Sequence, residues 1–111
     1  MAMTEALDQS QPGLWLRLQR EIQSRRLNAR TEQTYLHWIT RFVLFHGLRD
    51  PAELESGHIE QFVQDQKERM RVSRARLNQA MQALTFFYVE VLKRPAVVDP
   101  EASDNPHSVS A

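Results

Sequence analysis

Residues 30–47, RTEQTYLHWITRFVLFHG, decide how the chain folds. Within them Tyr35, Trp38, Ile39, Phe42 and Phe45 recur at spacings of three and four, the period of one face of an α-helix. Asn28 stands where an N-cap belongs and Gly47 supplies a stop, so the pattern predicts a helix from Ala29 to His46. Arg30, Thr34, His37 and Arg41 stand at i, i+4, i+7 and i+11, opposite much of that apolar face. A helix with one apolar stripe and one polar, cationic stripe must bury the first and is free to present the second.

Working outward, Leu14, Leu18 and Ile22 repeat at helical spacing with Trp15 beside them, which predicts a helix that opens on Pro12 in its first turn and ends near Leu27. Downstream, Asp50-Pro51 signals a turn. Leu54 reads as a hydrophobic staple before a Ser56 cap, followed by a short helix carrying Ile59, Phe62 and Val63 that fades near Arg69. Ser73 reads as the cap of a last helix, in which Leu77, Ala80, Met81, Leu84, Phe87, Tyr88, Val91 and Leu92 form a continuous apolar face up to Pro95. The expected architecture is all-α, a four-helix bundle over residues 12–95, with disordered segments at 1–11 and 96–111. Trp15, Tyr35, Trp38, Phe42, Phe45, Phe62, Phe87 and Tyr88 are assigned to its core rather than to base stacking.

The chain has 111 residues, enough for one domain, and no cysteine, so neither a disulfide framework nor a thiolate zinc site is implied. It shows no apolar run of membrane-spanning length and no secretory h-region, which points to a cytoplasmic protein without membrane partners. The net charge of zero conceals an asymmetry. All 14 Lys and Arg lie between Arg17 and Arg94 with only nine acids among them, whereas Glu5, Asp8, Asp99, Glu101 and Asp104 flank that stretch. A basic central domain is attracted to polyanions, although ordinary helical surfaces reach the same surplus.

Catalytic constellations are sparse. Glu55 and His58 have the i, i+3 spacing of metal ligands on one helix, but Ser56 and Gly57 mark a helix start there and no second pair exists. His37 reads as a surface histidine and His46 as a histidine at a helix end. Ser24, Ser56 and Ser73 lie at or near helix boundaries, and Gly13, Gly47 and Gly57 are isolated, so neither an oriented nucleophile nor a phosphate-cradling loop is present. No catalytic residue, metal site, cofactor or small-molecule substrate is expected. A second polar stripe does occur: Arg71, Arg74, Asn78, Gln82 and Thr85 line one side of the last helix, with Arg76 and Gln79 close by. Cations that meet phosphates and amides that read base edges are what a DNA-facing helix needs, while for either helix alone a solvated surface is the plainer reading.

The block from Arg30 to Ile39, then Arg41-Phe42 and Phe45-His46-Gly47, resembles the N-terminal core-binding (SAM-like) domain of tyrosine recombinases, particularly integron integrases. Asp50 to Leu54, Val72-Ser73, Asn78-Gln79-Ala80 and Leu84, Phe86 and Tyr88 continue the similarity in register, over roughly Leu14 to Pro95. The resemblance implies one half of a clamp around duplex DNA, with the second and fourth helices of the bundle facing the major groove. It makes double-stranded DNA of a recombination site the expected partner, bound at the nucleoid, with a recombinase catalytic domain or further copies as other partners. Arg30, Thr31, Thr34, Arg71 and Arg74 become candidate phosphate contacts and Arg41, Asn78, Gln79 and Gln82 candidate groove contacts, with His37 and Ser73 completing the DNA-binding set. Arg74, Arg76 and Leu77 depart from the smaller or polar residues expected there. The family's catalytic arginines, lysine, histidines and tyrosine belong to a domain that follows this one, and neither Tyr35 nor Tyr88, both on apolar faces, can stand in for the nucleophile. The alternative is a protein-interaction module or stand-alone remnant that associates with a recombinase without significant DNA binding.

Overall fold

The computed structural model describes residues 3–98. Its α-helices are α1 (Met3–Ser10), α2 (Leu14–Ser24), α3 (Ala29–Phe45), α4 (Ser56–Glu68) and α5 (Arg74–Phe86). Helix α5 runs on through a π-helical turn at Phe87–Val91, and short 3-10 turns occupy Pro51–Glu53 and Pro95–Val97. There is no strand among the described residues. Helices α2 to α5 are the four anticipated from periodicity, and α1 is added to them.

Helix α3 packs chiefly on α5, and α1 lies across α3 and α2. The seam is filled by Trp38, Ile39, Phe42 and Val43 from α3 and by Ala80, Ala83, Leu84 and Phe86 from α5, all buried. Phe62 of α4 closes the layer, edge-on to Phe42 at a centroid distance of 5.5 Å and to Trp38 at 6.3 Å. These T-shaped contacts place positive ring edges against negative ring faces, which adds direction to apolar burial.

Several sequence expectations differ from the structure. Within residues 1–11, a segment expected to be disordered, Met3–Ser10 is helical, because Ala6 and Leu7 are fully buried against the bundle and Ser10 Oγ donates to the Leu7 carbonyl at 2.7 Å. Pro12 does not open α2. It stands exposed in the turn, Gly13 at φ +81° is the N-cap residue, and Asp8 Oδ1 accepts from the Trp15 amide at 3.0 Å. The cap of α4 is Glu55 rather than Ser56: the Glu55 amide donates to His58 Nδ1 at 2.9 Å, and the His58 amide donates to the Glu55 carbonyl at 2.9 Å. Phe45, expected in the core, is 38% exposed at the last turn of α3. At the other end, Val97, placed in the disordered tail, is buried, while residues 99–111 of that expectation lie outside the described residues.

The helix ends use similar devices. After α3 the Leu48 amide donates to the Val43 carbonyl and the Gly47 amide to the Leu44 carbonyl, a Schellman closure with Gly47 at φ +68°. After α2 the same pair of bonds runs from Leu27 to Ile22 and from Arg26 to Gln23, but the left-handed residue is Arg26 at φ +56°. The C-terminal segment is tied down by side chains. Tyr88 Oη donates to the Pro51 carbonyl at 2.8 Å, Arg94 Nη1 donates to the Ala52 and Leu54 carbonyls, and Arg17 Nη2 donates to the Val91 carbonyl at 2.7 Å. Burial pushes the Tyr88 phenol well above its ordinary range, so it remains a donor.

Two stability measurements follow. Leu7→Ala should cost about 2–5 kcal/mol in urea unfolding, the range for a fully buried leucine, whereas a segment outside the core would show almost no change. Arg26→Gly should add about 0.5–1 kcal/mol by removing the Cβ penalty of the left-handed position, and a loss of stability there would contradict the Schellman reading.

Candidate nucleic-acid interface

The polar stripes begin at two capped helix starts. Asn28 Oδ1 accepts from the Thr31 amide at 2.8 Å, and Ser73 Oγ accepts from the Arg76 amide at 3.3 Å. The Thr31 amide is therefore occupied by its own cap, and the positive end of α3 is carried by its earlier amides and by the exposed Arg30.

Farther along, α3 and α5 lie side by side, and their seam opens as a small groove. Thr34 and His37 from α3 meet Arg76 and Gln79 from α5 over the edge of Trp38. Three of the sequence candidates, Thr34, His37 and Gln79, thus come together, joined by Arg76, which the sequence reading named only as a neighbour. The Arg76 and Arg41 guanidinium carbons each stand 5.3 Å from the Trp38 ring centroid. Both are held by cation–π attraction to a ring that is otherwise buried.

Arg41 has a second commitment: its Nη2 donates at 2.7 Å to Oε1 of Gln66, which is buried on α4. It ties α3 to α4 and is half-buried, unlike the exposed Arg30, Arg71 and Arg74. Arg71 stands at φ +57° in the α4–α5 connection, just ahead of the Ser73 cap. Asn78 and Gln82 do not line the Trp38 groove. They border a separate hollow with Tyr35 and Arg25, where Arg25 is paired with Glu90 at 2.5 Å. The polar side of α5 is therefore split into two flanks, a division that a linear stripe of residues does not reveal.

Burial and the neighbouring cations together set the acid–base character of the groove. The His37 pKa is lowered from 6.5, first by desolvation and then by the charges of Arg41 and Arg76. His46 is lowered too, first by desolvation, with His58 and Arg49 adding repulsion and the bond to the His58 carbonyl opposing it. Groups of at least three His, Asp or Glu able to hold a metal are absent among the described residues. No described helix is long and apolar enough to cross a membrane.

The fold belongs to a known class. The family described as phage integrase, N-terminal SAM-like domain, matches residues 14–97, and the chain belongs to that family. Two curated proteins, each called Integrase/recombinase, from Escherichia coli and Pseudomonas aeruginosa, are 46% identical to it over 63 residues. The matched stretch covers 57% of this chain and 19% of either relative, so the chain spans a minor part of the proteins it is similar to.

The two lowered histidines give a pH dependence of stability with a definite sign. The unfolded chain takes up protons at a pKa of 6.5 before the folded one does, so stability is retained above that value and falls as pH drops below it. Thermal melts between about pH 7.5 and about pH 5.5 should show a falling Tm. A His37→Gln, His46→Gln double variant should flatten the curve in this window, and an unchanged slope would contradict the assignment.

Proposed function

We propose that the chain is the duplex-DNA-binding module of an integrase-like site-specific recombinase, supplying affinity and placement while a separate catalytic domain breaks and rejoins strands. The observation that carries this reading is the α3–α5 seam, where Thr34, His37, Arg76 and Gln79 converge, with the exposed Arg30 and Arg74 in the first turns of the two helices. Helix α5 has no acidic residue from Arg74 to Phe86, and α3 has only Glu32, so a polyanion meets little repulsion along either helix. Family membership and the name Integrase/recombinase borne by the relatives support the same reading.

In this role Arg30, Arg71 and Arg74 neutralise phosphates, with Thr31 and Ser73 beside them at the two helix starts. Thr34, His37, Arg76 and Gln79 face the groove of the duplex. Asn78 and Gln82 reach it from the other flank of α5, and Arg41 acts mainly by holding Trp38 and α4 in place. No residue of the chain takes part in strand cleavage, and the protein works in the bacterial cytoplasm, at the nucleoid when bound.

A titration of labelled recombination-site duplex at low salt tests the assignment. Amide shifts should concentrate on α3 and α5, and about three to six phosphate contacts should make log K fall with log salt at a slope of about −3 to −5. Arg30→Glu combined with Arg74→Glu should weaken binding at least ~10-fold by replacing attraction with like-charge repulsion. Absence of shifts on both helices would falsify the reading, and intact capture of a recombinase partner by the double variant would then favour a protein-interaction module.

A further inference from the structure

A different kind of site lies at the end of α3 and along α4. At the end of α3, Leu44 and Phe45 are 48% and 38% exposed, and Met70, just past α4, is 47% exposed. These are three of the four large apolar side chains exposed among the described residues, and they adjoin one another around the buried Phe62. Phe45 continues the patch into a hollow of about 930 Å³ along α4, whose otherwise polar wall carries Glu60, Asp65 and Glu68 with Arg69, Gln61 and Gln64.

The charges on that wall are unevenly used. Asp65 is paired with Arg69 at 2.7 Å, whereas Glu60 and Glu68 enter no ion pair among the described residues. Glu68 accepts only from the neutral Gln64 amide. Arg41, the other cation at the patch, is turned to Gln66 and Trp38. An exposed apolar patch that adjoins a polar hollow with two unpaired carboxylates disfavours a polyanion and accommodates an apolar side chain flanked by cations. The chain's own residues 99–111 do not suit it, since they include Asp99, Glu101 and Asp104 and neither Lys nor Arg.

We propose that the Leu44–Phe45–Met70 patch, together with the adjoining hollow along α4, docks an amphipathic helix of a protein partner, one that sets a large apolar side chain beside Phe45 and presents Lys or Arg to Glu60 and Glu68. Helix-in-groove recognition of this kind draws its affinity from the apolar anchor and its selectivity from the charges around it. The proposal is independent of DNA binding, because none of these residues lines the α3–α5 groove.

The probe is a labelled synthetic amphipathic helix of leucine and lysine, added to the whole chain without DNA and followed by fluorescence anisotropy and amide shifts. Saturable binding is expected, with shifts on Leu44, Phe45, Glu60 and Met70, and a leucine–glutamate counterpart should bind at least ~10-fold more weakly. Phe45→Glu should abolish binding. Met70→Glu, on an exposed side chain beyond α4 where folding is not at stake, should weaken it at least ~10-fold. Glu60→Lys with Glu68→Lys should reverse the preference between the two peptides. Equal binding of both peptides, shifts confined to α2 or to the α3–α5 groove, or an unaffected Met70→Glu variant overturns the proposal. Concentration-dependent shifts of the same residues without peptide overturn it in favour of a second copy.

Discussion

Trp38 is the residue on which the arrangement turns. Its indole is buried in the seam between the two longest packed helices, edge-on to Phe62 of α4, and its ring supports both Arg41 and Arg76. One side chain thereby links three helices and sets the spacing between two cationic groups. A flexible arginine on a bare helix loses rotamer entropy whenever it meets a phosphate. Here part of that ordering is already done by the ring, so the positive charge of the seam is pre-positioned as well as present.

Burial and surface chemistry are consequently coupled in this small domain. The apolar faces that drive helix packing also determine which polar residues end up side by side. Gln79 and Asn78 are neighbours in sequence, yet one looks onto the Trp38 groove and the other onto the hollow beside Tyr35. Arg41 and Thr34 share a helical stripe, yet Arg41 is drawn inward by the buried Gln66, which needs a partner for its amide oxygen.

What could be read from the sequence followed the strength of the local signal. Helix α3 was legible because its apolar period, its Asn28 cap and its Gly47 stop agree with one another. Helix α1 was not, because eight residues offering little beyond Ala6 and Leu7 carry no period, and its order comes from tertiary burial. The Glu55 cap depended on an imidazole reaching back to a backbone amide, a geometry hidden behind a more usual serine. Phe45 had the right spacing for the core, but spacing cannot say whether anything covers the last turn of a helix. For the candidate interface, the two helices and the polar character of their stripes were readable. The pairing of His37 with Arg76 required the crossing of α3 and α5, which no single stripe encodes.

The grip of Arg94 on the turn after α3 also has a mechanical meaning. Its guanidinium holds the Ala52 and Leu54 carbonyls and meets Glu55 at 3.2 Å, while the buried Tyr88 hydroxyl holds Pro51. Tension applied to the chain beyond Val98 reaches this knot before it reaches any helix. The load is then shared with the turn that separates α3 from α4, so a pull from that side tends to move the bundle as one rigid piece instead of peeling α5 away from the seam.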